Sequence, residues 1–299
     1  MAHPLTALEP ALAETANFMD EAIASVLPEA SGPEGRVIEA MRYAALGGGK
    51  RLRAFLALQC GRLFGVDRRA MGRVAAAIEC VHAYSLVHDD LPAMDNDEVR
   101  RGKPTVHKAY DEATAILAGD ALLTAAFGIL ASHETHPDPH VRCDLVVKLA
   151  GASGAHGMVG GQMMDMSAQT QDFDLGGITR LQRLKTGALI AFSCDAGAIM
   201  GRASREARHA LAYYAQDLGL AFQITDDLLD LEGDPATLGK ATAKDNTAGK
   251  ATIVTLLGVE RAREQAQRLA AQSVQHLEIF DERADLLRAL SGFVVARRH

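Results

Sequence analysis

There is no tryptophan in this chain of 299 residues, and aromatic residues make up only 5% of it. A core built on large rings is thereby excluded. The abundant alanine and leucine favour helices packed closely through small side chains instead. Cysteine is scarce as well: Cys60, Cys80, Cys143 and Cys194 are widely spaced, with no C-x-x-C pair. That pattern reads as small buried hydrophobes rather than a disulfide or metal role, and fits a reducing compartment. No stretch approaches the roughly 18 uninterrupted apolar residues of a membrane span. The acidic opening "MAHPLTALEPALAETANF" lacks the basic and apolar regions of a secretory signal. A cytoplasmic protein without membrane insertion is expected. Positive charge is also in deficit, with a net charge of -7 and no offsetting basic stripe. Nucleic acid is therefore not an expected partner, and any anionic substrate has to be held by local clusters of lysine and arginine.

What the chain has in quantity is helical period. "RVIEAMRYAAL" (36–46) stops at Gly47–Gly49, glycines placed past a last helical turn. "RLRAFLALQCGRLFG" resumes helix, and "AMGRVAAAIECVHAYSLVHDDLP" is a long one that Pro92 should end. Further helices are expected near 112–132, 139–166, 178–200, 204–232, 251–276 and 281–297. Strand alternation between hairpin turns, long polar linkers and repeats of 20–50 residues are all missing. The expectation is an all-α, single-domain bundle of roughly ten helices spanning residues 1–299.

Two acidic groups break this apolar background. Residues 89–98 hold Asp89, Asp90, Asp95, Asp97 and Glu98, followed at once by Arg100 and Arg101. Such crowding of like charge is costly unless a cation sits between the carboxylates. Asp89 and Asp95 do not share a face of a straight helix, but a helix ended at Pro92 lets Asp95 fold back. In "AFQITDDLLDLEGD", Asp226, Asp227 and Asp230 fall within about 100° of one helix face and lack the Lys or Arg at i±4 of a solvated surface. Hard oxygen ligands in this number suit Mg²⁺, which is often shared with substrate phosphates.

Basic residues supply the counterpart. "GGGKRLRA" carries Lys50, Arg51 and Arg53; "EVRRGKPT" carries Arg100 and Arg101; "RLKTGALI" carries Lys185 and Thr186 amid apolar neighbours. Lys240 and Lys250 sit in a glycine-broken loop, where either alone reads as a solvated lysine. His82 alone reads as a core histidine. Taken together, these groups suit phosphate oxygens, which lysine and arginine recognise by charge and by forked hydrogen bonds.

The ordered set "GGK", "DDLPAMD", "RRGKPT", "LKTGAL" and "FQITDDLLD" resembles the trans-isoprenyl diphosphate synthases, the bacterial farnesyl diphosphate synthases in particular. The likeness runs from about Glu39 to the final "VVARR". It implies an all-α bundle around a deep central cavity, assembled as a homodimer, that uses isopentenyl and allylic diphosphates. It implies metal ligation by Asp89, Asp90, Asp95, Asp226, Asp227 and Asp230, with three Mg²⁺ ions once substrate is bound and Mn²⁺ as a substitute. Arg100, Lys185, Thr186, Gln223, Lys240 and Lys250 match positions at the allylic diphosphate, and Gln162 of "GGQMMD" matches one lining that site. Lys50, Arg53, His82 and Arg101 match the isopentenyl diphosphate positions. The residues implied in catalysis are Asp89, Asp90, Asp95, Asp226, Lys185 and Arg100. One departure is Ala54, where the family commonly has proline; a slightly looser turn after Arg53 is expected.

Product length rests on Tyr84, five positions before Asp89 and so about 7.5 Å lower along a helix. A prenyl tail descending from the metal site meets that ring after a few isoprene units, while Ser85 offers no obstruction. A fifteen-carbon product is expected. The alternatives are a geranylgeranyl synthase, a terpene cyclase, which does not need both aspartate runs with the basic groups, and a non-catalytic subunit.

Overall fold

The computed structural model describes residues 4–168, 170–171, 173–232 and 252–297; Lys240 and Lys250 lie outside the described residues. Helices α1 (Pro4–Val26), α2 (Gly35–Ala45), α3 (Leu52–Leu63) and α4 (Arg68–Asp89) lead to a small antiparallel hairpin, β1 (Val99–Arg100) and β2 (Lys103–Pro104). Next come α5 (Val106–Ala109), α6 (Glu112–Ala131), α7 (Pro139–Ser153), α8 (Met158–Ser167) and α9 (Leu175–Gln182). A π-helical turn over Arg183–Gly187 joins α9 to α10 (Ala188–Met200), and α11 (Arg205–Glu232) follows. Among the described residues, the remaining helices are α12 (Ile253–Leu257), α13 (Val259–His276) and, after a 3₁₀ turn, α14 (Asp285–Ala296).

The all-α expectation holds, with more and shorter helices than the ten or so expected. Their breaks fall at glycines. The stretch 139–166 is cut at Gly154–Gly157, where a Cβ on Gly157 would sit 2.2 Å from the Ala152 carbonyl oxygen. The stretch 251–276 is cut at Gly258, which has a φ of 82°. Helix α1 was not among the expected helices; Pro10 inside it reads as a breaker. The hairpin was not expected either. Its two-residue turn, Arg101 (φ 53°) and Gly102 (φ 75°), has both central residues at positive φ, the twist that two-residue hairpins require.

Several helices start on an aspartate whose side chain accepts a first-turn N–H: Asp67 for α4, Asp111 for α6, Asp138 for α7 and Asp174 for α9. Helices α3 and α10 lie between two apolar clusters and feed both. Phe55 and Leu56 of α3 join Ile190 and Cys194 of α10 in one, while Ala54 and Leu58 join Leu189 and Phe192 in the other. Helices apolar on all sides behave this way. A Cβ on Gly197 would lie 2.4 Å from the Gly61 nitrogen, so α10 crosses α3 almost backbone to backbone. Cys60, Cys80 and Cys194 are buried free thiols as expected, and burial pushes Cys80 up to about 12; Cys143 is exposed, contrary to expectation. Helix α6 is long and apolar enough to cross a membrane by length and composition, although Asp120 interrupts it. Its buried side packs on α4, α2 and α7.

Candidate active site

Helix α4 ends at Asp89, and the chain then turns at Pro92 as its sequence requires. The Asp95 N–H donates to the Asp89 carbonyl at 2.8 Å, with Asn96 at φ 51° completing the turn. Asp95 is thereby returned to Asp89. Asp90 is not. Its buried carboxylate accepts from Arg100 Nε through both oxygens, at 2.8 and 2.9 Å. That pairing engages Asp90 with Arg100, and Arg100 with Asp90 and Asp97, and neither lines the cavity beside Asp89.

That cavity has a volume of about 410 Å³ and is lined by Arg53, His82, Tyr84, Ser85, Asp89, Gln162, Lys185 and Thr186 among others. Met94, Met158, Met163 and Met166 supply much of its apolar wall. A smaller hollow of about 160 Å³ contains Asp165, Gln223 and Asp227, and shares Lys185 and Thr186 with the first. Those two shared residues lie in the π-helical turn, where one extra residue per turn re-aims side chains. Helix α8 approaches this turn so closely that a Cβ on Gly161 would meet the Lys185 nitrogen at 2.1 Å.

Lys185 Nζ donates to Asp165 at 2.7 Å. Burial pushes Asp89 up to about 6; Lys185 opposes this, and the charges of Asp95 and Asp165 add to it. Asp165 was missed in the sequence, although it stands three residues after Gln162 in "GGQMMD", on the same side of α8. Across from these, α11 carries Asp226, Asp227 and Asp230, all half-buried. Asp227 accepts from Gln182 Nε2 at 3.0 Å, and Asp226 pairs with Arg297 at 2.7 Å. The Arg297 guanidinium also stacks over Phe222, 4.0 Å from the ring centre. Arg297 and Gln182 went unnoticed in the sequence because their partners are 71 and 45 residues away.

The cationic side of the site is built by the hairpin and the glycine turn. Arg101 donates to the Gly48 carbonyl, and a Cβ on Gly49 (φ 119°) would lie 2.5 Å from its guanidinium. Arg53 Nη1 reaches His82 Nε2 at 3.5 Å. Burial, then the charges of Arg53, Arg101, Arg100 and Arg51, holds His82 well below its ordinary range, so the imidazole is neutral. Burial also lowers Lys50, which lies close enough to Arg297 and Asp226 to feel both charges. Arg51 turns inward instead, with left-handed backbone (φ 47°), onto Glu79, Asp20 and the Ala45 carbonyl. The Ala54 N–H, which a proline would lack, donates to Glu79 at 3.2 Å. The turn after Arg53 is thus tied by a hydrogen bond that the sequence did not reveal.

No three metal-ligating side chains converge on one point among the described residues. The donors are nonetheless hard carboxylate oxygens on two walls beside free cavity volume. That suits Mg²⁺, which takes one or two carboxylates and fills its shell with water and substrate phosphate oxygens.

This fold and this arrangement of carboxylates belong to a known class: the chain is a member of the polyprenyl synthetase family, whose pattern matches residues 34–288. It is 46% identical over 269 residues to the farnesyl diphosphate synthase of Escherichia coli (strain K12), covering 87% of this chain and 89% of that one. It is 41% identical over 270 residues to geranylgeranyl pyrophosphate synthase 3, chloroplastic, of Arabidopsis thaliana, covering 88% and 74%. Among solved structures, the apo FPP/GFPP synthase of Zymomonas mobilis superposes with a TM-score of 0.89 at 51% identity, covering 98% of this chain and all of that one.

Proposed function

We propose that this protein is a farnesyl diphosphate synthase, a Mg²⁺-dependent prenyltransferase condensing isopentenyl diphosphate with dimethylallyl or geranyl diphosphate. The observation that carries this reading is the return of Asp95 onto Asp89 at the mouth of an apolar cavity with Lys185 beside it. Asp89, Asp95, Asp226, Asp227 and Asp230 would hold the ions, which when bound neutralise the charge developing on the leaving diphosphate. Lys185 and Thr186, at the shared wall, orient the allylic diphosphate, with Gln162 and Gln223 beside them. Arg100 acts one layer back: it neutralises Asp90 and adds positive charge felt at Asp89. Lys50, Arg53, neutral His82 and Arg101 receive the diphosphate of isopentenyl diphosphate.

The allylic C–O bond breaks with its electron pair leaving on diphosphate. The isopentenyl double bond then attacks the allylic carbon, and a proton is lost to the released diphosphate. Met94, Met158, Met163 and Met166 offer the cation an apolar wall. Relatives of this chain carry names with different product lengths, so the family alone does not set length, and we read it from the cavity floor. Tyr84 is 7% exposed and lines the cavity below Asp89. Incubation with Mg²⁺, isopentenyl and geranyl diphosphates should give fifteen-carbon product, and Tyr84→Ala should shift it towards twenty carbons. Unchanged fifteen-carbon output from Tyr84→Ala, read by chromatography of the extracted prenyl chains, removes the floor assignment.

Residues 1–299 are read as one polyprenyl synthase domain working in the cytoplasm without membrane insertion. The outer face of α6, with Ile116 and Leu117 exposed 45% and 57%, is read as the contact between two copies. Sedimentation velocity should give twice the chain mass; a single-chain mass at micromolar concentration rejects the dimer.

A further inference from the structure

The cavity floor has a second tier. His88 lines the cavity one helical turn above Tyr84, and the two rings meet edge to face with centres 5.5 Å apart and planes at 87°. The imidazole is not free to rotate: its Nε2–H donates to the Ile116 carbonyl of α6 at 3.0 Å. It reaches that carbonyl only because residue 119 is glycine. A Cβ there would lie 2.1 Å from His88 Nε2 and 2.5 Å from Cδ2. Gly119 is buried mid-helix and has no positive φ, so no turn requires it. Glycine weakens a helix interior, which gives the notch a purpose of its own.

We propose that His88, seated on the bare backbone of α6 at Gly119, is a positioning residue for product length: it props the Tyr84 ring across the floor. The inference rests on the reading of Tyr84 as that floor. Without the imidazole, the Tyr84 ring loses its edge contact and the tail gains both the vacated volume and a floor that can swing. With a methyl group at 119, the imidazole is driven off α6 into the cavity and the tail loses room. The two changes therefore push product length in opposite directions, and the second acts only through the first.

The test is the product ratio from isopentenyl diphosphate with dimethylallyl or geranyl diphosphate and Mg²⁺. His88→Ala should raise twenty-carbon over fifteen-carbon product about tenfold, the discrimination one filled pocket position supplies. Gly119→Ala should instead enrich the ten-carbon product made from dimethylallyl diphosphate. The double variant should match His88→Ala, since no ring remains for the new methyl to strike. His88→Gln, which keeps an N–H for Ile116 but no ring, should behave as His88→Ala. Wild-type ratios in both His88 variants overturn the proposal, and these two decide it even if Gly119→Ala fails to fold. A ten-carbon shift that persists in the double variant also overturns it. Tyr84→Ala separates the layers. Longer product there with unchanged His88 variants sinks only this inference, whereas fifteen-carbon product from Tyr84→Ala sinks the floor reading beneath it.

Discussion

Replacing Asp89 by alanine should lower prenyl transfer by on the order of 10³-fold, the scale of losing one preorganised electrostatic contact to a leaving group, while making the metal-free protein more stable. The opposing signs have one cause. Asp89 is held near 6, above the roughly 3.9 of an unfolded aspartate. At pH 7 the folded protein therefore carries a partly buried charge that it would be better without. A group with its folded value raised contributes stability below the unfolded value, and that contribution is lost as pH rises through the folded one. Metal-free wild type should accordingly gain stability between pH 7.5 and 5.5, and Asp89→Ala should lack that part of the gain. After discounting for solvent at the site, the difference at pH 7.5 is about 1 kcal/mol, or about 2 °C in melting temperature. Mg²⁺ with a diphosphate should raise the melting temperature of the wild type more than that of Asp89→Ala. An Asp89→Ala enzyme elongating at wild-type speed would end the metal-holder account. Unchanged melting behaviour with lost activity would end the electrostatic one.

How far the site was legible in the sequence depends on how far apart its partners lie. Asp95 returning to Asp89 followed from Pro92 alone, because a proline and six residues fix the turn locally. The α11 aspartates followed from helical period. By contrast, the pairing of Asp90 depended on Arg100, ten residues on, being set by the first strand of the hairpin against the end of α4. Arg51 and Arg53 are two residues apart in the same basic run, yet one is a buried structural ion pair and the other lines the cavity. Nothing in residue type separates them; the left-handed backbone at Arg51 does. The pairings of Asp165 with Lys185, Gln182 with Asp227 and Arg297 with Asp226 arise only from contacts between segments distant in sequence. Charge at spacing revealed the walls, and tertiary packing decided which charges face inward.

That dependence on packing sets the second large effect. Gly161→Ala should lower kcat/KM by about 100-fold, since misplacement by roughly 1 Å can cost that much, and should destabilise the fold by about 1–3 kcal/mol through overpacking. The new methyl would meet the Lys185 nitrogen at 2.1 Å, its Cα at 2.5 Å and the Leu184 carbonyl carbon at 2.7 Å. All three are backbone atoms, so no rotamer change relieves the contact; α8 and the π-helical turn have to separate. Gln162 and Asp165 ride on one side of that separation, Lys185 and Thr186 on the other. Gly292, in the interior of α14, is the control: nothing among the described residues lies within 4 Å of its Cβ position. Gly292→Ala should stabilise by about 0.5–1 kcal/mol at full activity. Paired thermal melts and steady-state kinetics decide the matter. If Gly161→Ala melts and turns over like wild type, the close seam between α8 and the π-helical turn is not what holds Lys185 against Asp165.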